Sequence, residues 1–198
     1  MPLANLNGIR LFYEINGSGY PLVFCHEFAG DYRSWDLQVG YFSRSYNVIT
    51  YCARGYPPSD VPDAVADYSQ EQSVEDLKDL LVYLDVDRAH IVGLSMGGNV
   101  ALNFALTYPE MVSSMVLAGT GTGSDEPDAF RKRVVEMSDG MRKRGMDSMA
   151  KYVYGPARVQ LQEKSPKAFN LFREQFMEHS SIGSVSYTHL TLPTNREV

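Results

Sequence analysis

Apolar positions follow two rhythms along the chain. Residues 21–26 (PLVFCH), 47–51 (NVITY), 89–94 (AHIVGL) and 111–118 (MVSSMVLA) are apolar almost throughout. Short runs without alternation predict strands buried on both faces, as in a parallel sheet. Residues 9–15 alternate loosely and end at Asn16-Gly17, which predicts a hairpin returning onto 21–26. Between the runs the period lengthens. Val74, Leu77, Leu81 and Leu84 form one helical stripe, and Ser69 with Gln72 predicts a capping box at its start. Asp31 is placed to cap a short helix with Trp35, Val39 and Phe42 on one face. Residues 96–107 read as a helix that stops before Pro109. Alternating strands and helices predict an α/β fold, a mostly parallel sheet with helices on both faces.

After Gly119 the pattern changes. Residues 125–149 are charged, Met-rich and helical in propensity, and Phe169, Phe172 and Phe176 mark an amphipathic helix within 166–179. These pieces predict a partial helical cap over the sheet. The expected organisation is a core over 1–124, a cap over 125–183 and a separate tail over 184–198. Trp35, Phe130, Met137, Met141, Phe172 and Phe176 either line a pocket between cap and core or simply pack the two together.

The composition narrows the classes of function. With 44% hydrophobic and 21% charged residues, the chain is neither disordered nor fibrous. Its net charge of −6 argues against nucleic-acid or membrane-surface partners. No apolar run reaches the ~18 residues that span a bilayer. The first ten residues lack a cationic start followed by an apolar stretch, so no secretion signal is expected. Cys25 and Cys52 both sit in strand-like runs. They read as buried free thiols in a reducing compartment, which places the chain in the cytoplasm.

Candidate chemistry centres on Gly93-Leu94-Ser95-Met96-Gly97, a G-x-S-x-G pattern. The pattern is short, and its context strengthens it: a strand enters directly and a helix leaves directly. Such a corner lifts the serine hydroxyl above the sheet and sets it at a helix N-terminus, where free N–H groups favour negative charge. The bland alternative is a glycine-rich turn with an incidental serine. Ligands in open parallel sheets bind beyond the carboxyl ends of the strands. Residues 26–30 (HEFAG) follow one such end and Ser95 another, so both loops can face one pocket. The amides of Phe28 and Met96 are the expected donors to an oxyanion, and His26 is expected to shape its loop rather than act as base.

Four blocks then resemble the α/β-hydrolase fold superfamily, in the branch of small esterases, enol-lactonases and cofactor-free haloperoxidases. They are Asn16-Gly17, residues 26–30, residues 51–60 (YCARGYPPSD) and residues 93–98. The resemblance implies Ser95 as nucleophile, Phe28 and Met96 as oxyanion-hole amides, and 54–60 as a structural loop beside the site. It implies no cofactor and no metal. It departs at Glu27, where the family usually has glycine. Relatives with epoxide hydrolase or haloalkane dehalogenase chemistry use aspartate at the place of Ser95.

By the same resemblance an acid and then a histidine should follow Ser95. Asp125, Glu126 and Asp128 are possible acids, or simply a polar entrance to the cap. His179 ends a cap-type helix and reads as a surface or lid residue. His189 lies in residues 185–198, which show no helical stripe and look like a translated sequencing-library adapter joined to a truncated gene. Base and acid are therefore expected to be absent, and residues 111–118 to form an unpaired, aggregation-prone sheet edge. The leading expectation is a serine hydrolase of an apolar, ester-like small molecule, inactive as this chain. A non-catalytic small-molecule binder on the same fold, or a non-functional fragment, remains open.

Overall fold

The computed structural model describes residues 2–6, 8–121 and 126–188. Six strands form one sheet: β1 (Leu3–Leu6), β2 (Ile9–Asn16), β3 (Tyr20–Cys25), β4 (Tyr46–Tyr51), β5 (Ala89–Leu94) and β6 (Val112–Ala118). Their order is β1-β2-β4-β3-β5-β6, with β4, β3, β5 and β6 mutually parallel and β1 and β2 antiparallel to their neighbours. The apolar runs thus form the parallel part, as their pattern predicts.

The expected hairpin does not form. Asn16-Gly17 does join β2 to β3, but β4 lies between them and takes the ladder, pairing Tyr13 with Tyr51 and Ile15 with Ile49. The turn residues predicted local pairing, whereas burial of β3 on both faces required a neighbour on each side. β1 was not predicted at all. It is four residues long, too short for a periodic signal, and it covers the outer edge of β2.

Alternating strand residues feed two cores. Val23, Cys25, Ile49 and Ile91 pack with Val74, Leu77, Leu80 and Leu81 of α2 (Gln70–Tyr83) and with Val100, Ala101 and Phe104 of α3 (Met96–Thr107). Leu22, Phe24 and Val48 point to the opposite face, against Trp35 and the partly buried Val39 and Phe42 of α1 (Asp36–Phe42). Trp35 therefore belongs to the sheet core and not to a cap pocket. Asp31 caps a single 3-10 turn (Tyr32–Trp35) ahead of α1. Ser69 caps α2 by accepting the Gln72 amide, but the reciprocal half of the box is missing. The Gln72 side chain bonds the buried Asp76 carboxylate instead.

After β6 come the helices α4 (Pro127–Arg144), α5 (Ala150–Val153), α6 (Pro156–Lys164), α7 (Pro166–Met177) and α8 (Ser181–Thr188), the last crossing the boundary expected at 183/184. Met141, Met146, Met149, Phe169, Phe176 and Val185 from this helical region form a buried cluster together with Ala29 of the loop after β3. Residues 184–188, for which the sequence shows no helical stripe, complete α8. Tyr187 is buried against Phe12, Tyr56, Tyr68 and Met96. Helix formation there follows burial all round, since residues 183–188 are all buried and propensity is weak in Ser-Val-Ser-Tyr-Thr. Among the described residues no helix is long and apolar enough to cross a membrane.

Candidate active site

The two loops that the sequence singles out start side by side. Cys25 at the end of β3 is registered against Gly93 of β5, so residues 26–30 and Ser95 leave adjacent strand ends. Ser95 stands at the corner with φ 52° and ψ −112°, a conformation costly for any residue with a Cβ. Its backbone is held from both sides. The Ser95 N–H donates to Ala118 O at 2.8 Å, and its carbonyl accepts the amides of Gly98 and Asn99. The corner closes only because its neighbours lack side chains: a Cβ on Gly93 would strike Gly97 O, and one on Gly97 would strike Cys25 O. Ser95 is exposed, and among the described residues its hydroxyl has no hydrogen-bond partner.

The loop after β3 is defined by how its amides are used. His26 is buried, and both ring nitrogens are engaged. Nδ1–H donates to Glu27 O at 2.8 Å, and Nε2 accepts the Ala53 amide at 3.0 Å. That pattern requires the neutral tautomer. Burial pushes the imidazole pKa down, against a partial lift from the Glu27 carbonyl. His26 is therefore a loop-shaping residue, as expected. Gly30 N–H also donates to Glu27 O, and Ala29 N–H donates to the Tyr56 hydroxyl. Among the described residues, the amides of Phe28 and Met96 have no protein acceptor.

Glu27, at the position where glycine is usual, folds its carboxylate over Gly30 and accepts a bond from the Ser34 hydroxyl at 3.2 Å. It also lines a cleft of about 1020 Å³ between α1 and α7, with Leu37, Leu171 and Phe172 on its walls. Residues 52–60 form a stitched loop beside the site. The Arg54 guanidinium makes a bidentate, buried ion pair with Asp76, both contacts at 2.7 Å, and also bonds Asp67 O. Ser59 bonds Cys52 O and the Phe12 amide. Cys25 and Cys52 are buried free thiols, and burial pushes each up to about 12.

His179 corrects the sequence reading. It is not a surface residue: it is buried, with Nε2 3.2 Å from Asp31 Oδ2 and Nδ1 facing Phe176 O. The apolar stripe of α7 pointed to a helix end at the surface, but the cap folds that end onto Asp31. His90 lies at the other end of β5 and bonds Ser114. Glu126 and Asp128, at the start of α4, are exposed. Asp125 and His189 lie outside the described residues. No three His, Cys, Asp or Glu side chains converge as a metal site among the described residues. The supports that sequence reasoning missed are Tyr56, Ala53 and the Asp31–His179 pair. Tyr56 lay within a block already singled out, but nothing in its local pattern points to Ala29.

The fold agrees with comparisons to known proteins. The sequence model of the alpha/beta hydrolase fold family matches residues 20–144, so the chain belongs to that family. It is 34% identical over 140 residues to "Epoxide hydrolase 1" of Caenorhabditis elegans, covering 70% of this chain and 34% of that protein. It is 30% identical to a "Putative 2-succinyl-6-hydroxy-2,4-cyclohexadiene-1-carboxylate synthase" of Bacillus subtilis, covering 66% of this chain and 48% of that protein. Among solved structures it resembles the enol-lactonase from Burkholderia xenovorans, with TM-score 0.85 and 25% identity over 98% of this chain and 74% of that one. The chain thus spans about a third to a half of the curated relatives it matches.

Proposed function

We propose that this chain carries the nucleophile and the oxyanion hole of a serine hydrolase acting on a carboxylic ester, lactone or related acyl bond. In this reading the Ser95 oxygen attacks the substrate carbonyl carbon, and the carbonyl oxygen gains the negative charge. The Phe28 and Met96 amides take up that charge. Collapse breaks the C–O bond to the leaving oxygen, which takes up through water the proton that Ser95 lost, and the acyl-enzyme left behind is hydrolysed by water. One such donor is worth about 3–4 kcal/mol of barrier. The observation that carries the reading is the strained, exposed Ser95 beside two amides with no protein acceptor among the described residues.

The same reading assigns no general base among the described residues. His26, His90 and His179 are each hydrogen-bonded elsewhere. Acylation of Ser95 and hydrolysis of the acyl-enzyme are therefore both expected to be slow in this chain, so labelling is followed over long incubation. The epoxide hydrolase name belongs to the relative that bears it. At the corner this chain offers an alcohol where epoxide opening in such relatives uses a carboxylate, which favours acyl chemistry. The test is intact-mass and peptide mapping after treatment with a fluorophosphonate and with p-nitrophenyl acetate. An adduct on Ser95, lost in Ser95→Ala, is expected. If the wild-type chain stays unmodified, or the adduct persists in Ser95→Ala, the reading fails.

A further inference from the structure

The acyl-transfer reading, on which this inference rests, needs the Phe28 amide aimed and held. The peptide unit joining Glu27 to Phe28 is planar and trans, so its oxygen and its N–H point in opposite directions. The oxygen is pinned by two donors, His26 Nδ1–H at 2.8 Å and Gly30 N–H at 3.1 Å. That leaves the far end of the turn. Ala29 has φ 54°, a left-handed conformation that an alanine does not hold unaided. Its amide donates to the Tyr56 hydroxyl at 3.2 Å, with both residues buried.

Tyr56 is well placed to act as an anchor. Its own N–H donates to Ala53 O and its carbonyl accepts the Ser59 amide, both at 3.0 Å. Its ring stands edge-on to His26 at 4.9 Å and to His179 at 5.4 Å. His179 in turn bonds Asp31, which immediately follows the loop. The short segment 53–56 therefore supports both ends of the turn: Ala53 fixes the His26 ring, and Tyr56 fixes Ala29. Burial pushes the phenol's ionisation well above its ordinary value, so the hydroxyl stays a neutral acceptor.

We infer that Tyr56 is a positioning residue for acyl transfer: by accepting the Ala29 amide it holds the turn that aims the Phe28 N–H at the substrate oxygen. It touches no substrate itself. Removing the hydroxyl leaves a buried N–H unpaired, and rotation about Phe28 to relieve it swings both flanking peptides.

The experiment compares the full chain with Tyr56→Phe, which keeps the ring, and Tyr56→Leu, which does not. The readouts are saturation kinetics of fluorophosphonate labelling at Ser95, followed by intact mass, and residue-resolved amide exchange. In Tyr56→Phe the limiting labelling rate should fall by about tenfold or more while the half-saturating concentration stays within about twofold. Exchange at Ala29 should quicken at least about tenfold, while Val23 and Ile91 in the sheet stay protected. Tyr56→Leu should lose that sheet protection as well. A limiting rate unchanged in Tyr56→Phe, or reduced only together with sheet protection, overturns the inference. So does unchanged exchange at Ala29, whatever Ser95 does. A wild-type chain that never forms the Ser95 adduct, yet shows Ala29 exchange that depends on Tyr56, overturns the acyl-transfer reading instead.

Discussion

Ser95 is held where a side chain is a burden. With φ 52° and ψ −112° it occupies a region that glycine tolerates and serine does not, and such residues cost about 1–3 kcal/mol. The strain is maintained by three backbone bonds and by glycines packed against backbone atoms. Ser95→Gly should therefore stabilise the fold by about 1 kcal/mol in urea unfolding while abolishing the fluorophosphonate adduct. A destabilised Ser95→Gly would mean that the hydroxyl has a structural role the corner geometry does not give it. Glu27 is the other residue where sequence and geometry meet. Its carboxylate fills the space above Gly30 where a side chain at position 30 would sit, so the departure from glycine at 27 is absorbed by glycine at 30.

The element most exposed to circumstance is β6. Among the described residues it pairs only with β5, and its outer edge carries Val116 at 55% and Leu117 at 38% exposure. It contains no charge, and an uncharged edge strand whose last four residues, Met115–Ala118, are all apolar recruits other strands. Val116→Lys should raise the monomeric, soluble fraction in sedimentation velocity and change unfolding free energy by less than about 1 kcal/mol. If the wild-type chain is already a sharp monomer at high concentration, the edge is protected by something this geometry does not include. By contrast α3 was legible to the residue, because a strand, a small-residue corner and Pro109 bracket it. The loop over 26–30 was legible as a location only. Its conformation depends on Ala53 and Tyr56, which lie far along the chain.

At the scale of the molecule, two buried groups set the acid response. Burial pushes the His26 pKa down, so its contribution to stability is present above the unfolded value of about 6.5 and is lost as pH falls below it. Burial alone would raise the Asp31 carboxyl, but the bonds from His179 and Arg33 outweigh it and hold it below the usual carboxylate range. Its contribution is therefore present above about 3.9 and is lost as pH falls further. Urea midpoints should thus be flat above about pH 7, decline through the first limb and steepen below pH 4, with His26→Gln flattening the first limb alone. A midpoint that rises on acidification from pH 7 to 5 would contradict the His26 assignment, and one that stays flat below pH 4 would contradict the Asp31 assignment.

The parallel strands, the helices between them and the strand-to-helix corner at Ser95 are legible from the chain alone, because each is written in local periodicity and in residues no bulkier side chain could replace. Tertiary structure alone decided the strand order that displaced the Asn16-Gly17 hairpin, the burial of His179 against Asp31, the helical state of residues 184–188 and the support of Ala29 by Tyr56. These are contacts between segments tens of residues apart. Burial and hydrogen-bond satisfaction select them from many locally equivalent choices, and no local pattern encodes them.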